Sequence, residues 1–138
     1  MAGVQEYIGV DVGSVRTGLA RGTNMARLAE PVRTVDTDSA VEAIAELAKE
    51  LEAVGVVVGR PRSLAGKDTQ QTDWVKNWVE GAKSQIKLPF YAQDEALTSV
   101  HAEPETLKSK ATMGLDAHAA ALILQDFLDT PETDRVRW

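Results

Sequence analysis

The chain has 138 residues, a formal net charge of -6 and no cysteine. This length suits one domain with a real hydrophobic core and leaves no room for a second. The lack of cysteine excludes disulfides, thiolate zinc sites and cysteine nucleophiles, and it fits a reducing compartment. No apolar run approaches the roughly 20 residues that span a bilayer, and residues 1–6 lack the basic start of a secretory signal. We expect a single domain over residues 1–138, in the cytoplasm and without membrane contact.

The net negative charge bears on nucleic-acid binding. It argues against non-specific DNA coating, which depends on many phosphate contacts from lysine and arginine. A nuclease is still allowed, because a metal site needs acidic residues and only a local basic rim. The basic residues form one group early in the chain and one in the middle, namely Arg16, Arg21, Arg27 and Arg33, then Arg60, Arg62 and Lys67.

The first quarter of the chain reads as an antiparallel meander. Residues 6–12 form a β-rich run that ends at an acid and a glycine, which predicts a strand entering a turn. Residues 17–23 follow at hairpin distance. A third strand is predicted over 28–35, and Pro31 within it indicates an edge position.

The pattern then changes to helices alternating with strands. Ser39 and Glu42 predict a capping box at the start of the first helix, and the apolar run over 53–59 predicts a buried parallel strand. The remaining predicted elements are a helix over 75–86, a strand over 88–93, a helix with a loop over 96–109 and an alanine-rich helix over 115–128. This order predicts an α/β ribonuclease H-like fold, whose five-stranded mixed sheet has three antiparallel strands, then parallel strands, and flanking helices. Residues 130–138 are an unassigned polar tail.

Acidic residues stand at the predicted strand ends. Asp11 ends the first strand, and Asp94 and Glu95 follow the fifth. Ligand sites of open α/β sheets form at the carboxyl ends of the strands. Since the first, fourth and fifth strands would be parallel, we expect these acids to be neighbours of the turn at Arg60.

Asp116 joins this group by helical phase. It shares one face of the last helix with Ala120, Ile123 and Phe127, so we expect it to point toward the sheet. Converging carboxylates without a counter-charge repel one another and are costly to bury. A divalent cation removes both problems, and carboxylate oxygens suit Mg²⁺ or Mn²⁺.

Each acid also has a plainer interpretation. Asp11 would serve as a turn residue, Asp116 as a helix N-cap, and Asp94 and Glu95 as surface residues after a strand. Their joint placement at strand ends favours a shared site.

Four segments resemble, in order, the motifs of the YqgF/RuvX family. They are V-D-V-G-S-V-R-T-G-L-A over 10–20, V-V-G-R-P with L-A-G over 57–66, D-E-A-L-T-S over 94–99 and L-D-A-H-A-A over 115–120. Together the segments cover nearly the whole chain. The resemblance implies a Holliday-junction-resolvase-like nuclease of ribonuclease H type, acting on the 5′ end of pre-16S ribosomal RNA or on branched DNA.

Roles for individual residues follow from the same resemblance. It implies that Asp11, Glu95 and Asp116 are catalytic metal ligands, with Asp94 beside them. The implied mechanism is two-metal phosphodiester hydrolysis with Mg²⁺ or Mn²⁺, in which one ion activates water and the other stabilises the leaving oxygen.

Substrate contacts are implied for Arg16, Arg60 and Thr98. Arg16 would hold a phosphate, and the turn at Arg60 would shape the wall of the site. The chain departs from the family at Ala96, where the motif has arginine, so one charge-assisted contact is missing. Arg60 would compensate if the two loops face each other.

Two other functions compete with the nuclease. Ala96 and the acidic charge favour a non-catalytic or weakly active RNA-binding factor of ribosome biogenesis, whereas Asp11, Glu95 and Asp116 oppose it. An actin-like nucleotide-binding module would share the first motif but needs a second phosphate loop and a second domain. The expected partners are nucleic acid (pre-rRNA or branched DNA) and ribosomal particles, and the protein would be a monomer or a homodimer.

Overall fold

The structure is a computed structural model that describes residues 3–63, 65–94 and 115–138. Its strands are β1 (Glu6–Val12), β2 (Arg16–Thr23), β3 (Ala29–Asp36), β4 (Gly55–Arg60), β5 (Phe90–Asp94) and β6 (Val136–Arg137). Its helices are α1 (Ala40–Leu51), α2 (Gln70–Lys83) and α3 (Leu115–Leu128). The helix and loop predicted over 96–109 lie outside the described residues.

The strands form one mixed sheet in the order β3-β2-β1-β4-β5-β6. β1, β2 and β3 pair antiparallel, whereas β4 lies parallel to both β1 and β5. This confirms the predicted α/β arrangement and the edge position of the strand that contains Pro31. Within the described residues the sheet has six strands rather than the predicted five, because the tail adds β6 antiparallel to β5.

The starts of α1 and α2 show where capping occurs. The capping box predicted at Ser39 and Glu42 is wrong, since Ser39 makes no side-chain capping hydrogen bond. Ser39 ends a 3₁₀ turn with φ -105° and ψ 3°, rather than the extended backbone that aims a cap at the helix. The capping box lies instead at α2. There the Thr69 side chain accepts a hydrogen bond from the Thr72 amide, and the Thr72 side chain accepts one from the Thr69 amide.

The two faces of the sheet are buried against different helices. On one face, Val10 and Val58 pack with residues of α1 and α2. On the other, Tyr7 and Val57 pack with α3, and Tyr7 contacts Phe127 edge-on with ring centroids 5.1 Å apart. We call these the α1/α2 face and the α3 face. Among the described residues, no helix is long and apolar enough to cross a membrane.

Candidate active site

Asp11 lies near the carboxyl end of β1, on the α3 face. Side chains alternate along a strand, and Gly9, two residues earlier, lies against α3. A Cβ atom there would come within 2.7 Å of the Leu124 Cβ. Asp11 is half-buried. Within the described parts of the chain it has neither a hydrogen-bond nor an ion-pair partner.

Gly18 allows the start of α3 to approach Asp11. It is the cross-strand partner of Asp11 in β2. A Cβ atom at Gly18 would lie 1.9 Å from the carbonyl oxygen of Asp116 and 2.5 Å from the amide nitrogen of Ala117. Only glycine therefore lets the first turn of α3 rest on β2, and this contact brings Asp116 beside Asp11.

Burial and the charge of Asp116 both act on the Asp11 carboxyl. Burial raises the pKa of Asp11 from 3.8 to about 6, and the negative charge of Asp116 adds to the increase. Asp116 is partly balanced by Arg16, whose Nε donates to its Oδ2 at 3.2 Å. As predicted, Asp116 shares a helix face with buried Ala120 and Phe127. Its side chain is nevertheless 24% exposed.

Threonines that the sequence analysis did not single out hold this arrangement together. The Thr34 hydroxyl accepts a hydrogen bond from the Ala117 amide at 3.2 Å, which anchors the first turn of α3 to β3. The Thr37 hydroxyl donates to the carbonyl of Gly13 at 2.6 Å and lies 2.9 Å from the hydroxyl of buried Thr17. These contacts fix the β1–β2 turn that carries Arg16. Threonine is common in strands, so its type alone gave no signal.

Asp94 and Arg60 form a second charged group. They are register partners at the ends of β5 and β4, and Arg60 Nε donates to Asp94 Oδ1 at 3.0 Å. Val58 and Phe90 pack on the α1/α2 face, so alternation places Arg60 and Asp94 there too. The strand ends meet as expected, but these side chains project from the face opposite Asp11.

The described residues supply part of the predicted metal site. Asp11 and Asp116 come together, whereas Asp94 is paired with Arg60. Glu95 and Thr98, like Ala96, lie outside the described residues. Within the described ranges, no group of three acidic, histidine or cysteine side chains could hold a metal ion. The Asp11–Asp116 pair offers hard oxygen donors whose negative charge Arg16 balances only in part, which suits a divalent cation such as Mg²⁺ or Mn²⁺.

Comparisons of the sequence point to one family. The profile of the family described as "RuvX: Holliday junction resolvase" matches residues 5–130. A relative from Nitratidesulfovibrio vulgaris is 37% identical, over 94% of this chain and 97% of its own. One from Fusobacterium nucleatum is 35% identical, over 91% of this chain and 98% of its own. Both bear the name "Putative pre-16S rRNA nuclease".

The fold resembles that of solved RuvC structures. RuvC from T. thermophilus, in complex with a Holliday junction substrate, matches with a TM-score of 0.60 at 13% identity, covering 97% of this chain and 99% of that one. Another Thermus thermophilus RuvC structure gives a TM-score of 0.57 at 17% identity, covering 97% and 100%. These likenesses confirm the predicted ribonuclease H-like fold.

Proposed function

The chain belongs to the RuvX family, and we propose that it is a metal-dependent endonuclease that hydrolyses phosphodiester bonds in structured nucleic acid. The proposed substrate is the 5′ end of pre-16S ribosomal RNA, with four-way DNA junctions as the alternative. One observation carries the proposal. Asp11 and Asp116 are brought together at the carboxyl end of β1, and Asp11 has no partner among the described residues.

In this proposal Asp11 and Asp116, together with Glu95, hold Mg²⁺ or Mn²⁺. When bound, such an ion supplies Lewis-acid stabilisation of the charge that develops on the phosphoryl oxygens. The chain contributes the position of the ligands, since the Gly18 contact fixes α3 and the Thr34 hydrogen bond fixes its first turn. This support sets the distance between Asp11 and Asp116.

Among the described residues, Arg16 is the best placed to bind a substrate phosphate beside the acids. Its side chain is 47% exposed, and Nε donates to Asp116. The planar guanidinium matches the geometry of a phosphate. Its positive charge also lessens the repulsion between the carboxylates and an incoming polyanion. Arg60 and Thr98 are the further proposed substrate contacts.

Cleavage by matched variants tests the proposal. Purified protein is incubated with an end-labelled pre-16S rRNA 5′ segment or with a four-way DNA junction, in Mn²⁺, Mg²⁺ or EDTA. Cleavage should require the metal and fall by at least about 100-fold in Asp11→Asn and Asp116→Asn. Asp73→Asn, which changes an exposed acid on α2, is the control and should cleave at the wild-type rate. Equal cleavage by wild type and Asp11→Asn would refute the assignment.

A non-catalytic RNA-binding factor is the second candidate function. It is favoured by the ion pair between Arg16 and Asp116, which occupies one proposed ligand, and by Ala96 in the place of the motif arginine. This candidate predicts that pre-rRNA binds equally well with Mn²⁺ or EDTA and is cut under neither condition.

The remaining proposals concern the location, the partners and the oligomeric state of the protein. We propose that the protein acts in the cytoplasm on ribosomal particles or their RNA, as one domain in a monomer or homodimer. Sedimentation equilibrium of the free protein distinguishes the two oligomeric states. Co-sedimentation with immature small ribosomal subunits tests the particle contact.

A further inference from the structure

The C-terminal tail (residues 129–138) wraps around the edge of the sheet and ends on its α1/α2 face. β6 pairs with β5 through Ala92 and Tyr91. Alternation turns Arg137 to the α3 face, where its guanidinium lies 5.1 Å from the centre of the Tyr91 ring. It turns Trp138 to the opposite face, against the core beside α2. The tail thus has a fixed position, although its sequence gives no periodic signal.

Trp138 makes three hydrogen bonds with the described part of the chain, each to a different element. Its amide donates to the Phe90 carbonyl at 3.0 Å, and its indole Nε1 donates to the Val58 carbonyl at 3.2 Å. Its own carbonyl accepts from Lys83 Nζ at 2.9 Å. The indole therefore has a defined orientation on β4 and β5.

The Trp138 ring lies beside the guanidinium of Arg60. The Arg60 Cζ atom is 6.0 Å from the ring centre, and Arg60 Nε donates to Asp94 at 3.0 Å. The Arg60 side chain is 20% exposed. In the described part of the structure its two NH₂ groups have no hydrogen-bond acceptor. An arginine held by an aromatic face and a carboxylate loses less conformational freedom when it binds a further group.

We propose that Trp138 is a positioning residue that holds the Arg60 guanidinium for contact with a substrate phosphate. This inference rests on the proposed function and deepens it. The Arg60 contact would lie on the face opposite Asp11 and Arg16, so it is a second point of attachment for the nucleic-acid backbone. The C-terminal tail then supports the binding surface through a ring that orients Arg60 and itself contacts no substrate.

A double-mutant cycle on the full-length protein tests this inference. The affinity for a fluorescein-labelled four-way DNA junction is measured by anisotropy in EDTA, at several salt concentrations. Arg60→Gln should raise Kd by about fivefold and reduce the slope of log K against log salt by about 0.9. Trp138→Leu should raise Kd by about threefold in the wild-type background and have no further effect in Arg60→Gln. Trp138→Phe keeps a ring beside Arg60 and should restore most of the affinity. Trp74→Leu, which removes a partly exposed tryptophan of α2, should leave Kd unchanged.

A second measurement covers the case in which Trp138→Leu does not fold. In a chain with Trp74→Phe and Trp78→Phe, Trp138 is the one remaining tryptophan. Arg60→Gln should then shift or brighten its fluorescence emission, because the adjacent cation is removed. Unchanged emission would overturn the contact.

The outcomes separate this inference from the nuclease assignment. Additive effects of Trp138→Leu and Arg60→Gln on Kd, or an unchanged Kd in Arg60→Gln, overturn the inference even if Asp11-dependent cleavage is observed. Coupled effects in a protein that cuts nothing support the inference and refute the nuclease. A protein that binds neither the junction nor an RNA hairpin refutes both.

Discussion

Replacing Asp11 by asparagine is expected to make the metal-free protein more stable near neutral pH. Burial, and to a lesser extent Asp116, raise the pKa of Asp11 from 3.8 to about 6. A tenfold change in an equilibrium constant corresponds to about 1.36 kcal/mol, so the rise of the pKa from 3.8 to about 6 implies that the ionised carboxylate costs about 3 kcal/mol of folding free energy at pH 7. Asparagine carries no charge. It should therefore recover about 2–3 kcal/mol, and the melting temperature should rise by about 6–10 °C.

The pH dependence identifies the cause of the gain. The folded protein binds the Asp11 proton more tightly than the unfolded chain does. The stabilisation from protonation is therefore fully present below pH 3.8 and is lost as the pH rises through about 6. The advantage of Asp11→Asn should be small at pH 4, about 0.5 kcal/mol, and fully developed at pH 7.

Urea unfolding in EDTA, at steps between pH 4 and pH 7, measures this advantage. Asp73→Asn serves as the control for losing an exposed acid and should change the free energy of unfolding by less than about 0.5 kcal/mol. A variant that is no more stable than wild type at pH 7, or an advantage that does not vary with pH, would show that the folded protein does not disfavour the ionised form of Asp11.

Three further predictions concern the packing that places the acids. In urea unfolding, Gly18→Ala should lower the free energy of unfolding by about 2–4 kcal/mol, because the new Cβ would meet the first turn of α3. The control is Gly81→Ala, which should be neutral or stabilising by up to about 1 kcal/mol because no atom lies within 4 Å of its Cβ. Equal effects of the two substitutions would contradict the close approach of α3 to β2. Thr34→Val should cost about 1 kcal/mol and weaken Mn²⁺ binding, and an unchanged affinity would show that this hydrogen bond does not position Asp116. Phe127→Ala should cost about 3–5 kcal/mol and weaken the near-ultraviolet circular dichroism of the aromatic cluster on the α3 face; a cost below 1 kcal/mol would contradict that packing.

Sequence patterns predicted the elements that have a clear period or a clear stop. β1 and α3 have the predicted bounds, Glu6–Val12 and Leu115–Leu128, because a glycine follows β1 and an apolar face runs the length of α3. The meander and the edge position of β3 likewise follow from local turn and proline signals. The convergence of Asp11 and Asp116 followed from strand ends and helical phase together.

Other features depend on contacts between distant residues, which no local pattern encodes. β1 is buried on both faces, so its apolar residues do not reveal which way Asp11 points or that Asp94 lies on the other side. β6 has only two residues, too few to show an alternating pattern of apolar and polar side chains. Trp138 is fixed by a hydrogen bond to Val58 across 80 residues of sequence. The cap predicted at Ser39 failed because a 3₁₀ turn ends at that residue.

Titration of Mn²⁺ into the wild-type protein and into Asp11→Asn, followed by isothermal calorimetry, tests most directly whether Asp11 and Asp116 form a divalent-metal site. Asp116→Asn and the control Asp73→Asn complete the set. The site described here predicts saturable binding by wild type and Asp73→Asn, with the affinity reduced at least about tenfold in both Asp11→Asn and Asp116→Asn. Binding that is unchanged in Asp11→Asn would contradict it.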